Sequence, residues 1–247
     1  MNNSAGNTAR LLWAGLRALL VLTVVCGVLY PLAVTGIAQA VFSGRANGSQ
    51  IKDPATGRVV GSELIGQSYH LPPKNPDDPE ETPKADLRWF QPRPSHGLGA
   101  NSVNTQYELI LSGATNLSGD SGAVDGKCPA KLSDYRTEDA QGTLCYKVLS
   151  AQQAVIQDNS VSGHPLEPSD IPAEAVTSSG SGLDPHIPPA YAKLQIHRVA
   201  ERNHLDAGAV GKLVTDHTEG RTLGFLGEPR VNVLKLNIAL KALMSRG

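Results

Sequence analysis

Between Arg17 and Arg45 lie about 27 uncharged positions, and most of them are apolar. The stretch A-L-L-V-L-T-V-V-C-G-V-L-Y-P-L-A-V-T-G-I-A-Q-A-V-F over 18–42 exceeds the ~20 apolar residues that cross a bilayer. Arg10 and Arg17 flank its N-terminal end, and no Asp or Glu precedes it. Because basic residues stay on the cytoplasmic side, this predicts a cytoplasmic tail at 1–17, a transmembrane helix at 18–42 and an extracytoplasmic domain over 43–247. A cleaved secretory signal is the competing reading, with Ala38-Gln39-Ala40 as a small-residue cleavage pattern. The run is longer than the roughly 7–15 residues of a signal's apolar core. Tyr30-Pro31 in its middle also suits a kink inside a membrane bundle, so an uncleaved anchor is the expectation.

Beyond the run the pattern changes period. Val59, Leu64 and Ile65, interrupted by glycines, predict short strands joined by turns. Pro72–Lys84 is rich in proline and acid and can neither continue a sheet ladder nor bury itself. Its Asp77, Asp78, Glu80 and Glu81 read as a solvated loop before they read as a cation trap. Trp89–Ser95 and Tyr107–Leu117 return to ordered character, and a second irregular stretch follows from Ser118 to about Thr143. After Asp184 the pattern becomes helical. Val210, Leu213, Val214 and His217 fall at i, i+3, i+4, i+7 spacing behind Asp206, a suitable N-cap. Val233, Leu236, Leu240 and Leu243 line one side of a final helix over Asn232–Met244. The fold class is α+β: a single N-terminal transmembrane helix followed by a soluble mixed α+β domain, with inserts near 72–86 and 118–146.

A net charge of −1 and a pI near 6.6 leave no basic field to attract nucleic acid. Aromatics are 4 %, against 25 Gly and 17 Pro, which implies a modest core and long irregular connections. A permanent partner suits such a chain. Cys26 lies in the apolar run as a small apolar residue. Cys128 and Cys145 share one Gly/Ser/Asp-rich stretch on the side predicted to be oxidising, where a disulfide closes a short surface loop. The alternative is two free thiols or weak metal ligands, and two sulfurs without a neighbouring histidine make a poor zinc site.

The chain carries little catalytic chemistry. Gly126-Lys127 approaches a phosphate-binding loop, but Ser121 stands at its first glycine and Cys128 at its hydroxyl position. No D-K-T-G phosphorylation sequence and no T-V-G-Y-G-like carbonyl filter is present. Gly119-Asp120-Ser121-Gly122 matches a serine-protease nucleophile segment only in part, since Ala123 follows. The seven histidines (70, 96, 164, 186, 197, 204 and 217) show no close metal-ligand spacing. Asp184-Pro185 reads as a helix-start signal, with His186 satisfied in a packed turn. Ser178, Ser179, Gly180, Ser181 and Gly182 present main-chain N–H groups and hydroxyls ahead of a helix. Such a turn cradles an anion or, equally, docks a helix against a sheet.

Two strings are too particular to be explained by periodicity: V-T-S-S-G-S-G-L-D-P-H-I-P over 176–188 and T-E-G-R-T-L-G-F-L-G-E-P-R-V-N-V over 218–233. With Y-P-L-A-V-T-G-I-A-Q at 30–39, V-V-G-S-E-L-I-G-Q at 59–67, R-P-S at 93–95 and S-G-A-T-N-L at 112–117, the chain resembles the KdpC family, one of the component proteins of the Kdp-type potassium-transporting P-type ATPases. The two inserts interrupt the likeness, and Gln152–Pro168 is less helical in pattern than the family's charged linker helix. The resemblance implies a non-catalytic, single-span subunit of a high-affinity, ATP-driven potassium importer in the cell membrane. Its implied partners are a channel-like potassium-binding subunit, an ATP-hydrolysing P-type subunit and a small single-helix subunit. ATP and potassium are then handled by the complex, and no cofactor is held firmly here. The family is described as a catalytic chaperone that raises the hydrolysing subunit's ATP affinity. With the domain outside, an indirect effect fits better than direct ATP contact through Ser178–Gly182. The expected docking surface is Leu223, Phe225 and Leu226 as apolar anchors, with Glu228 and Arg230 beside them, over the outer mouth of the potassium-binding subunit. The alternative function is a membrane-anchored extracytoplasmic serine hydrolase using Ser121 or Ser181.

Overall fold

A computed structural model describes residues 3–75, 78, 81, 84–94 and 121–245. Asp77, Glu80, Ser95, His96, the Tyr107–Leu117 segment and Gly119-Asp120 lie outside the described residues. The chain divides into two compact units, Met1–Gln50 and Ile51–Gly247.

The first unit is helical. Helix α1 (Asn3–Val24) passes through a π-helical turn (Val25–Leu29) into α2 (Tyr30–Val41), and a short α3 (Ser43–Ala46) follows. Gly6–Val41, 36 residues, is long and apolar enough to cross a membrane. At 1.5 Å per residue that is about 54 Å, more than the ~30 Å of a hydrocarbon core. Helix thus begins well before Ala18. Hydropathy marks where the run turns apolar, whereas Ala, Leu and Arg sustain helix on either side of that point. The Arg17 guanidinium sits 5.3 Å from the Trp13 ring centre, one turn back.

Strand β1 (Gln50–Lys52), which begins at the last residue of the first unit, and β2 (Val59–Ser62) form a two-stranded sheet. Val60 enters the core while Val59 and Leu64 stay exposed, so the buried position is one residue away from the one the pattern suggested. Gly61 sits at φ 154°, and a Cβ there would strike the Gln67 amide and the Leu234 side chain.

Helices α4 (Glu138–Gln141) and α5 (Leu144–Asn159) are capped by Thr137 and Thr143, whose side chains accept from Ala140 and Tyr146 N–H. Helix α5 corrects the reading of Gln152 onward as poorly helical. The cap and the A-Q-Q-A core suffice without a charge pattern. A disulfide joins Cys128 to Cys145 in the first turn of α5, with Cα atoms 5.4 Å apart.

Next come β3 (His186–Ile187), α6 (Pro189–Leu194), α7 (Ile196–Arg202), α8 (Ala207–Asp216), β4 (Thr218–Glu219), β5 (Arg230–Asn232) and α9 (Val233–Met244). The expected helix start at Asp184-Pro185 does not occur. Pro185 and Pro189 hold the residues before them extended, so the chain passes through β3 first and α6 begins at Pro189. The sheet order is β3-β5-β4, antiparallel, with Ile187 and Thr218 both in register with Val231. The Asp206 carboxylate caps α8 through Ala209 N–H at 2.7 Å, and Asn232 caps α9 through Lys235 N–H at 3.1 Å. Val210, Val214, Leu236 and Leu240 are fully buried in one cluster with Val231, Ile187 and Val199.

One stretch of this core is pinned by side chains instead of a strand. Arg198 on α7 is fully buried and donates to Asn159 Oδ1 (2.8 Å), Trp89 O (2.9 Å), Gln195 Oε1 (2.6 Å) and Leu87 O. Burial pushes its guanidinium down to about 10. The same Gln195 brackets Gln91, accepting from its N–H at 2.7 Å and donating to its C=O at 3.1 Å.

Candidate functional site

The glycine-rich turn is built to be held from within the domain. Arg93 donates through Nε to Thr177 O and through a terminal nitrogen to Ser178 O, each at 3.2 Å. Its other terminal nitrogen lies 3.4 Å from Asp184 Oδ2. Asp184 in turn accepts from the His186 main-chain N–H (2.9 Å) and faces His186 Nδ1 at 3.2 Å. Burial works against the Asp184 charge, but His186 and Arg93 outweigh it and hold the carboxyl below its ordinary range. The turn therefore shows carbonyls to a cation at its Thr177–Ser178 end. Ser179 and Gly182 are buried, and Leu183 O accepts from Gly66 N–H at 2.7 Å. These bonds tie the turn to Arg93 and to Gly66, which follows β2.

The candidate serines serve local turns. Ser121 Oγ accepts from Ala123 N–H at 3.3 Å, and Ser181 Oγ accepts from Leu183 N–H at 3.1 Å. In the acidic loop, Glu81 accepts from the main-chain N–H groups of Lys74 (2.9 Å) and Asn75 (2.8 Å), and these hold its carboxyl below the usual range. That is a loop clasp. Among the described residues, no group of three or more His, Cys, Asp or Glu is placed to hold a metal.

The segment between β4 and β5 is a hairpin whose tip faces solvent. Thr222 and Leu226 pair across it (2.8 and 2.9 Å), Leu223 takes φ 56° and Gly224 φ 83°. A positive φ costs a leucine on the order of 1–2 kcal/mol, where glycine is free to adopt it. Yet Leu223 is 79 % exposed, Phe225 69 % and Leu226 50 %. The backbone thus holds strain while presenting apolar groups outward. Arg221 bonds Glu228 at 2.7 Å across the hairpin's base, and Arg230 bonds Glu219 at 3.0 Å. Glu228 and Arg230, which flank Pro229, are thus both paired within the domain. Glu219 also lies 3.6 Å from Lys235 Nζ, which binds Glu63 at 2.9 Å. Burial alone would raise the Glu219 pKa; Arg230 and Lys235 more than reverse it.

Leu223, Phe225 and Leu226, singled out in the sequence, all lie exposed on this hairpin. No local motif marks Arg93, Glu219, Lys235 or Arg198, because packing alone sets their partners. Trp89, which Arg198 bonds, lies 109 positions away from it.

A family model described as "K+-transporting ATPase, c chain" (KdpC) matches residues 12–242. The potassium-transporting ATPase KdpC subunit of Streptomyces avermitilis is 62 % identical over 245 residues, covering 99 % of each chain. The Streptomyces coelicolor protein of the same name is 59 % identical over 100 % of this chain and 99 % of its own. That of Geobacter sulfurreducens is 41 % identical over 92 % and 94 %. With the family model spanning nearly its whole length, this chain belongs to the KdpC family of K+-transporting ATPase components.

Proposed function

We propose that this chain is a non-catalytic accessory subunit of an ATP-driven potassium import complex, anchored by its N-terminal helix. Its α+β domain lies outside the membrane and docks through the Leu223–Leu226 hairpin tip. The partners are a channel-like potassium-binding subunit, on whose outer mouth the tip rests, a P-type ATP-hydrolysing subunit and a small single-helix subunit. Through assembly it raises the hydrolysing subunit's affinity for ATP without touching the nucleotide, a coupling that needs only different contacts in two states of the complex. The observation carrying this reading is the strained, exposed tip. An exposed Leu-Gly-Phe-Leu apex on an ion-paired base is the pattern of an interface anchor. The turn at Ser178–Gly182, tied inward by Arg93, supports the indirect form. Nothing observed at Ser121 or Ser181 favours a hydrolase.

The test is co-expression with the other subunits followed by purification through a tag on the hydrolysing subunit. Phe225→Ser, and separately Leu223→Ser, should lower recovery of this chain, and whatever complex forms should show a raised KM for ATP. Full recovery with both variants and an unchanged KM would overturn the docking reading.

A further inference from the structure

We infer that the π-helical turn Val25–Leu29 is the seat of a partner transmembrane helix that delivers a side-chain hydrogen-bond donor to it. The inference rests on this chain being one subunit of a membrane complex, as proposed above, and is independent of the hairpin.

In a regular α-helix the Cys26 carbonyl would accept from Tyr30 N–H and the Gly27 carbonyl from residue 31. Here Tyr30 N–H goes to Val25 O instead. Residue 31 is proline, which has no N–H. The carbonyls of Cys26, Gly27 and Val28 are left with one main-chain donor at helical spacing, that of Leu32. The Cys26 carbonyl and one of the two after it therefore receive none. A hydroxyl on a helix reaches back to carbonyls three or four residues earlier. For Thr23 and Thr35 those are at 19–20 and 31–32, so neither serves the freed pair.

Depth decides what this means. Positions 26–28 lie about 12–15 Å along the helix from Ala18, inside a hydrocarbon core ~30 Å thick. Lipid tails offer no donor, so freed carbonyls at this depth are satisfied by protein. The turn is also accessible. Val25, Val28 and Leu29 are 44–55 % exposed. A Cβ on Gly27 would meet only Thr23 Cγ2, at 4.0 Å. Two freed carbonyls beside a bare backbone position fit a helix that carries Ser, Thr, Asn, Gln or His, close-packed as small-residue interfaces are.

Two substitutions test this while improving the helix itself. Gly27→Leu fills the seat, and Pro31→Ala restores the missing N–H; both residues introduced are better helix formers. In the co-expressed complex, each should lower recovery of the full-length chain about 3- to 20-fold, the worth of one interhelical hydrogen bond. Gly36→Leu, nine residues on and roughly half a turn round, should leave recovery unchanged. A photo-cross-linkable phenylalanine analogue in place of Val28 should capture another subunit's membrane helix. Normal recovery of both Gly27→Leu and Pro31→Ala overturns the inference, as do cross-links confined to lipid or to a second copy of this chain. If the wild-type chain itself fails to co-purify with any subunit, it is the accessory-subunit reading that falls.

Discussion

Asn237, on the buried side of α9, closes a reciprocal pair with the main chain of Phe90: its Nδ2 donates to Phe90 O at 3.0 Å and its Oδ1 accepts from Phe90 N–H at 2.9 Å. Both residues are fully buried, 147 positions apart in sequence. A side-chain amide here does what a neighbouring strand would do, satisfying one donor and one acceptor that water does not reach. Asn237→Leu is close in volume but strands both groups. The expected loss is about 2–4 kcal/mol, read as a lowered unfolding midpoint of the full chain in detergent. A change under about 0.5 kcal/mol would mean the Phe90 segment finds other partners.

Arg198 should be harder still to replace. Arg198→Met leaves Leu87 O, Trp89 O, Asn159 Oδ1 and Gln195 Oε1 without their shared donor, with an expected cost of at least about 3 kcal/mol. Arg198→Lys should recover little, since one ammonium lacks the fork that reaches four acceptors on three segments. Proteolytic half-life of the membrane-inserted chain is a suitable measure, and equal half-lives for lysine variant and wild type would contradict the assignment.

Lys241 of α9 bonds Asp53, whose side chain is 6 % exposed, at 2.8 Å. That contact, aided by Ala55 N–H, holds the Asp53 carboxyl below its ordinary 3.8. A depressed carboxylate contributes stability that is present above its unfolded value and is lost as pH falls through the folded one. Lys241→Met should therefore destabilise by about 1–3 kcal/mol at pH 7. The gap to wild type should narrow as pH falls below about 4. Denaturant midpoints from about pH 3 to about pH 7 check this, and a gap independent of pH would reject it.

The Cys128–Cys145 bond closes a loop with a sequence separation of 17. The chain-entropy value for such a loop is about 3 kcal/mol. Replacing both cysteines by serine should cost less than that overall, because only Cys145 of the pair is buried. Thermal unfolding of the double variant, with complex assembly as a second readout, makes the comparison.

Ser121→Ala and Ser181→Ala should leave potassium-dependent ATPase activity of the assembled complex within about twofold of wild type, since each hydroxyl caps a local turn. Loss of activity with assembly intact would revive a direct chemical role.

Local physics wrote much of this molecule plainly. The apolar run required a helix, because no other single-segment structure satisfies its backbone in lipid. Asp206 marked a helix start through its cap, and periodicity placed Val210, Val214, Leu236 and Leu240 inward. Leu223, Phe225 and Leu226 stood out as apolar residues interspersed with glycines. What tertiary structure alone decided was where polar groups find partners. Arg93 reaches the Thr177–Ser178 carbonyls, Arg198 reaches Asn159, and Asn237 brackets Phe90, across separations of 39–147 residues. Such pairings obey the demand that every buried polar atom be satisfied. That demand names no partner until packing has brought distant segments together. For the same reason the sequence left the Ser178–Gly182 turn open between cradling an anion and docking a helix, and only packing brought Arg93 to its Thr177 and Ser178 carbonyls.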